Sequence, residues 1–512
     1  MSQKFSTIKD LIVSAGEKYG ERDAFRYKIK NNNDGNEKKT AVEGKSYKQL
    51  VTDAGKWAAA LKGLFDNKSH IAVIGPTSYS WIVTFMGITC SGNVSVPIDA
   101  LLSADDVCDL LDRADVSMLV FDKAKQDIAV AAKSKCDKIK YFVSIDKESS
   151  IEGALSLWDL IESKEPDFSY EVDPDELATI MFTSGTTGKS KGVMLTHRNM
   201  AENATCQDMG FEEGTVILSV LPIHHAYCLN NDILQALSLG CTICINDSLL
   251  RVAKNIKLFE PNVILMVPLM IETLCKKLDE VALIPAPILK VKVFGKQLHT
   301  IISGGAYLNP AYVDTFKKFG ITILQGYGMT ECSPVISTNL RWDNRQGSVG
   351  KLLPNCEAKT VDEELWVKGS SVMQGYYKMP EETAQALEDG WLKTGDLGYV
   401  DDDGFVYLTG RKKNLIITKN GENVSPEEIE NKIGEERLVQ EIIVRESEGV
   451  IEAEIFPDYE YATKKKIKDI PDKLQKIIDK YNETVPTYKR VLKLKVRDVE
   501  FEKNTTKKIK RF

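Results

Sequence analysis

Short apolar, β-branched runs alternate with stretches of helical spacing along the first 330 or so residues, and this rhythm restricts the fold more than any other feature. His70–Gly75 and Val94–Ile98 flank the helical stretch Ser80–Cys90. Runs of the same kind return at Thr215–Leu221, Cys241–Ile245, Asn262–Val267, Thr300–Ser303 and Ile321–Leu324. Strands that alternate with helices imply parallel sheets covered on both faces, so an α/β protein is expected. With 512 residues and roughly 150 per domain, about three domains or subdomains are expected. After about residue 355 the texture changes to short alternating strands, Glu364–Lys368 and Gly404–Leu408, separated by Gly and Asp turns. Gly410–Asn414 reads as a polar joint, and the hundred or so residues beyond it as a small C-terminal domain.

Composition removes several function classes. Hydrophobic residues at 43% and charged residues at 28% are those of a soluble globular protein rather than a disordered one. A net charge of −7 leaves no overall basic surface for nucleic acid. Met1–Phe5 lacks the apolar core of a signal peptide, and the purest apolar run, Val263–Val267, stops at Pro268, far short of the ~18 residues of a membrane span. A cytoplasmic protein is therefore expected. The ten cysteines show no paired spacing and fit reduced thiols. Cys241 and Cys244 share a strand-like run, where residues three apart face opposite sides, which argues against a shared metal. From Thr484 to Phe512 there are ten Lys/Arg against three Asp/Glu. Within this tail Leu492, Leu494 and Val496 alternate with Lys493, Lys495 and Arg497, a strand with one apolar and one basic face that could be merely solvated or could face an anion. Lys464–Lys466 reads as a solvated helix start.

The most specific local signal runs from Met181 to His197. An apolar stretch enters Thr183-Ser184-Gly185-Thr186-Thr187-Gly188-Lys189-Ser190-Lys191-Gly192, then a helix capped by Thr196. Glycines let backbone N–H groups turn toward an anion, hydroxyls add donors, and Lys189 and Lys191 add charge, so phosphate binding follows. Only two residues separate Gly185 from Gly188, so this is not a Walker A loop, which needs four. A plain glycine-serine linker does not explain its place between ordered elements.

The segment Thr183–Gly192 resembles the signature loop of the adenylate-forming superfamily: acyl- and aryl-CoA synthetases, peptide-synthetase adenylation domains and luciferases. Matching motifs follow in order: Leu221–His225, Ser303-Gly304-Gly305-Ala306, Gln325–Glu331, Gly390–Asp396, Gly404–Arg411 and Asn504–Arg511. The resemblance implies an AMP-binding N-terminal domain over residues 1–410, built of two α/β subdomains plus a small β-barrel at about 350–410. A mobile α+β C-terminal domain over 411–512 would follow.

It also implies an acyl-CoA synthetase that joins a carboxylate to the ATP α-phosphate as acyl-AMP, then transfers the acyl group to a thiol. Thr183, Ser184, Gly185, Thr186, Thr187, Gly188 and Lys189 would hold the β- and γ-phosphates. Gly304, Gly305 and Ala306 would lie along the adenine, with Tyr327 and Gly328 beside it. Thr330 would touch the phosphates, and Glu331 would bind Mg²⁺ as a hard oxygen ligand. Asp396 would accept both ribose hydroxyls, with Arg411 steadying the sugar. His225 would sit near the acyl carboxylate, with His224 structural. Lys508 would place a cation between carboxylate and α-phosphate. Lys507 stands where the superfamily usually has Gly, and Glu363 where many members have Gly. The expected joint residue is Lys413, with Gly421 near the thiol's path. Resemblance is greatest to long-chain fatty acyl-CoA synthetases, with an apolar tunnel lined partly by residues 225–234 and 327–335. The partners implied are a carboxylic acid, ATP and CoA, with at most peripheral membrane contact. An aryl acid, or an acyl carrier protein as acceptor, is the alternative; a nucleotide-binding module without turnover is the rival from another class.

Overall fold

The computed structural model describes residues 4–29, 41–65, 68–146, 149, 151–183, 189–280, 285–418, 421–503 and 509–511. Two large sheets dominate. In the first, the strands Val94–Ile98, His70–Ile74, Val116–Phe121 and Tyr141–Ser144 run parallel. In the second, Thr242–Ile245, Val216–Ser219, Val263–Met266, Thr300–Ser303 and Thr322–Gly328 do the same. Seven of these nine strands are runs seen in the sequence; Val116–Phe121 and Tyr141–Ser144 were not among them. Most of the strand residues are buried, least so in Tyr141–Ser144 and Thr322–Gly328, as expected when helices cover both faces.

The helix Tyr79–Cys90 shows how this core closes. Ser78 caps it, its Oγ accepting from the Trp81 amide at 3.2 Å. The helix is apolar nearly all round and buried nearly all round, the pattern of a core helix. At Gly87 an added Cβ would stand 2.5 Å from the Trp57 ring of the neighbouring helix Tyr47–Lys62, so glycine sets the spacing of the pair.

Both sheets are mixed, where alternation alone implied parallel ones. Strand Lys191–Thr196 returns antiparallel to Leu177–Thr183, pairing Thr183 with Lys191. The phosphate-loop motif therefore joins two strands before the chain reaches the helix His197–Thr205, which Thr196 and Asn199 cap reciprocally. Short strands at Val335–Thr338 and Lys351–Leu352 extend the other sheet antiparallel. Beyond them Cys356–Val361, Glu364–Gly369, Leu387–Glu388, Trp391–Val400 and Val406–Arg411 form a separate antiparallel sheet. The turn Asp362–Glu363 has positive φ at both residues, which explains why glycine would suit position 363.

Residues from Ile416 onward bury their own apolar cluster under the three-stranded sheet Val439–Ser447, Val450–Pro457, Val491–Val496. The last of these strands departs from the simple alternation of its sequence. A register shift in the pairing of Ile451 and Glu452 with Val491 and Lys493 breaks the alternation, leaving Leu492 65% exposed while Val491 is buried. The basic residues do not form an anion-facing edge, because Lys495, Arg497 and Arg445 all pair with the buried Glu454. Lys464–Lys466 ends the helix Tyr459–Lys464 rather than starting one, where cations complement the helix dipole. Among the described residues no helix is long and apolar enough to cross a membrane.

Candidate functional site

The expected ribose residues converge at the junction of the second sheet and the antiparallel unit. Asp396 and Arg411 face each other across neighbouring strands, with Arg411 Nε 2.6 Å from Asp396 Oδ1. Tyr327, at the end of the strand Thr322–Gly328, donates its hydroxyl to Asp396 Oδ2 at 2.7 Å. Burial, then the Asp396 charge, pushes the Tyr327 hydroxyl far above its ordinary pKa, so it stays a donor. Below the carboxylate, Thr394 Oγ1 accepts the Asp396 amide at 3.1 Å and donates to the Leu365 carbonyl at 2.6 Å. The buried Glu364 accepts the Gly395 amide at 2.9 Å and holds Lys412 at 2.8 Å. Asp396 is thus fixed from both sides.

Gly304, Gly305 and Ala306 follow the strand Thr300–Ser303 and line the same cavity. The Tyr227 ring lies against Gly304, its hydroxyl on the Ile302 carbonyl at 3.3 Å. Thr330 and Glu331 form a tight turn after Gly328, and a Cβ on Gly328 would meet the Pro334 carbonyl oxygen at 1.9 Å, so that turn tolerates only glycine. Glu331 Oε1 accepts the Tyr376 hydroxyl at 3.0 Å, and Lys191 Nζ lies 4.7 Å from the Tyr376 ring centre. Glu331 lines this wall as one hard oxygen ligand, which suits a divalent cation shared with substrate phosphates; among the described residues no group of three or more His, Cys, Asp or Glu could hold a metal ion on its own. Thr183 also lines this wall. Lys189 is exposed and does not; Ser184, Gly185, Thr186, Thr187 and Gly188 lie outside the described residues.

His224 and His225 stand between this corner and a deeper chamber, their rings 4.2 Å apart. Burial, and then His225, lowers the His224 pKa to about 3, so it is a neutral imidazole packed 3.5 Å from Asp99. The chamber wall behind His225 is a π-helix, Tyr227–Gln235, a distortion found often at functional sites. Cys228, Asn231 and Gln235 on it line the cavity. Leu269, Leu274, Leu289 and Val293 add apolar lining, and the lining leucines Leu101, Leu249 and Leu250 are exposed. The continuous cavity measures about 2180 Å³. The tunnel expected from residues 225–234 and 327–335 accounts for one side of it; the wall from residues 249–293 carries no motif and was not foreseen. Tyr376 and Glu364 were missed for the same reason, since each acts by holding another residue in place.

The C-terminal region also lines the cavity. Glu427, Glu430, Ile442, Ile509 and Arg511 line it together with Asp396, Arg411 and Lys413. Burial lowers the Lys413 pKa, reinforced by Arg411 and Arg511, which places the expected joint beside both arginines. Gly421 is exposed with φ +81°. Lys507 and Lys508 lie outside the described residues.

Comparison with known proteins gives a consistent result. Residues 17–377 match the AMP-binding enzyme family and residues 413–511 the AMP-binding enzyme C-terminal domain. A long-chain-fatty-acid–CoA ligase of Bacillus subtilis is 30% identical over 458 residues, covering 79% of this chain and 80% of that one. A 4-coumarate–CoA ligase-like protein of Arabidopsis thaliana is 28% identical over 423 residues, covering 76% and 73%. The crystal structure of an anthranilate CoA ligase with anthranoyl-AMP superposes with a TM-score of 0.82 at 21% identity, covering 99% of this chain and 96% of that one.

Proposed function

The chain belongs to the AMP-binding enzyme family as an acyl-CoA synthetase, and from that premise we propose that it activates an aliphatic, fatty-type carboxylic acid in the cytoplasm. The observation that carries this reading is the single cavity in which the Tyr327–Asp396–Arg411 corner opens into a chamber walled by leucines and valine. A ribose held at Asp396 and an acyl tail in that chamber place the carboxylate and α-phosphate between them, beside His225, Thr330 and Glu331.

Each group has a task in this reading. Asp396 accepts the ribose hydroxyls while Tyr327 and Arg411 hold it ionised and oriented. Gly304, Gly305 and Ala306 let the adenine approach the backbone, and Gly328 lets Thr330 reach the phosphates. Thr183, Lys191 and the loop between them cradle the β- and γ-phosphates. Mg²⁺ held at Glu331 would offset phosphate charge when bound. The carboxylate oxygen attacks the α-phosphorus, the bond to the pyrophosphate oxygen breaks, and Lys508 stabilises the charge developing between them. The C-terminal domain then turns about Lys413, and the CoA thiolate displaces AMP from the acyl carbon.

Aryl acids are the second reading, favoured by the 4-coumarate–CoA ligase-like and anthranilate CoA ligase similarities. A panel of acids from acetate to palmitate, with coumarate, benzoate and anthranilate, assayed for thioester with ATP and CoA separates the two. Medium or long aliphatic acids should give the highest kcat/KM; an aromatic acid an order of magnitude better than every aliphatic one would replace this reading. Faster transfer to a phosphopantetheinylated carrier protein than to CoA would reassign the acceptor.

A further inference from the structure

The last described residue of the chain is tied down more firmly than its position at a terminus requires. Arg511 forms an ion pair with Glu430 and lies 3.4 Å from Glu427, both on the helix Pro426–Ile433. Neither carboxylate is free to follow it. Glu430 Oε1 accepts the Val444 amide at 2.6 Å, fixing it to the sheet of the C-terminal domain. Glu427 is held by Asn414 Nδ2 and by Ser425 Oγ at 3.2 Å, and Ser425 Oγ donates to the Thr409 carbonyl at 2.8 Å. Asn414 and Thr409 flank the joint at Lys413. A second tie sits just upstream, where Lys503 bridges to Ile509 and the Lys510 amide donates to the Glu502 carbonyl at 2.8 Å.

We propose that the Glu430–Arg511 ion pair is the anchor that sets where the tail presents Lys508, making both partners positioning residues for acyl-adenylate formation. Lys508 stands three positions before Arg511, a reach of at most about 10 Å in extended chain. The anchored end lies in the cavity beside the ribose corner. A misplacement of about 1 Å in a reacting group can cost on the order of 10²-fold in rate, so a tail held only by its upstream bridge would lose rate without losing the fold. The anchor lies wholly within the C-terminal domain and travels with it, so the thiol-transfer step does not depend on it. The inference rests on the role proposed for Lys508.

Glu430→Gln keeps the acceptor for Val444 while removing the charge; Arg511→Lys keeps the charge but loses the planar fork. In full-length protein, acid-dependent exchange of pyrophosphate into ATP should fall 10- to 100-fold in each. Conversion of supplied acyl-adenylate and CoA to thioester should stay within about threefold of wild type, and ATP KM should hardly move. The double variant should be no worse than the poorer single, because both break one pair. Exchange that survives in both singles, equal loss of both half-reactions, or losses that multiply in the double variant would overturn the anchor. Lys508→Ala in parallel separates the two levels. If it loses exchange while the anchor variants keep it, the anchor alone is wrong; if it keeps exchange, the role of Lys508 and the anchor fall together.

Discussion

Replacing Asp396 by Asn probes the nucleotide corner with almost no change in volume. The carboxylate receives Tyr327 Oη at 2.7 Å on one oxygen and Arg411 Nε at 2.6 Å on the other. Asparagine has one acceptor oxygen, so its NH₂ must face one of these donors, and the two ribose hydroxyls lose an ionised partner at the same time. Hydrogen bonds to a charged group contribute about 1.5–3 kcal/mol each. One such bond mismatched and one weakened comes to about 3 kcal/mol, which at 1.4 kcal/mol per tenfold is on the order of 10² in ATP affinity. Arg411 is half-exposed and regains water, so the fold should survive with a melting temperature a few degrees lower. Calorimetric titration of ATP into the folded variant measures the loss directly. Because the ribose stays bound from ATP through acyl-AMP, both half-reactions should suffer, unlike the pattern expected for Lys508. An ATP Kd within about twofold of wild type in a folded variant would remove Asp396 from the ribose site.

Two further outcomes are expected. Lys508→Ala should lower acid-dependent pyrophosphate release by on the order of 10²–10³ while sparing thioester formation from supplied acyl-adenylate, and Lys507→Ala should do neither; equal effects of the two would reduce the tail to a basic surface. Asp232 is fully buried on the π-helix, with Oδ2 receiving Ser219 at 2.9 Å and Oδ1 without a hydrogen-bond partner among the described residues. Burial, opposed by the Ser219 and Cys228 contacts, raises its pKa to about 7. The folded state therefore binds this proton more tightly than the unfolded chain, and the stability it confers drains away as pH rises from about 4 to about 7. Asp232→Asn should remove that slope, making the variant relatively more stable at pH 8 than at pH 4; parallel wild-type and variant melting curves against pH would refute it.

The parallel strands were legible because each is a short β-branched run between helical stretches, and burial on both faces keeps such runs apolar throughout. Val263–Met266 and Thr300–Ser303 are plain examples. Strand Lys191–Thr196 was hidden because the glycine and lysine chemistry of the adjoining loop masks a short strand that ends on the helix cap at Thr196. The register shift that exposes Leu492 depends on its partner strand and leaves no local mark. Asp396, Arg411, Tyr327 and Glu331 were named from the sequence because each sits in a motif that resembles the adenylate-forming superfamily, and the structure brings Asp396, Arg411 and Tyr327 into contact. Tyr376 and Glu364 touch their partners only after folding; Arg511 stands in the Asn504–Arg511 motif, but its pairing with Glu430 across 81 positions leaves no local mark, and the chamber wall near Leu269 and Leu289 is apolar in the way any core helix is.

Formation of an acyl-adenylate is read out by exchange of labelled pyrophosphate into ATP in the absence of CoA. That exchange should require a carboxylic acid and a divalent cation, and AMP with pyrophosphate should be the nucleotide products once CoA is added. ADP and phosphate as products, or no exchange with any aliphatic or aromatic acid from a folded protein that binds ATP, would contradict it.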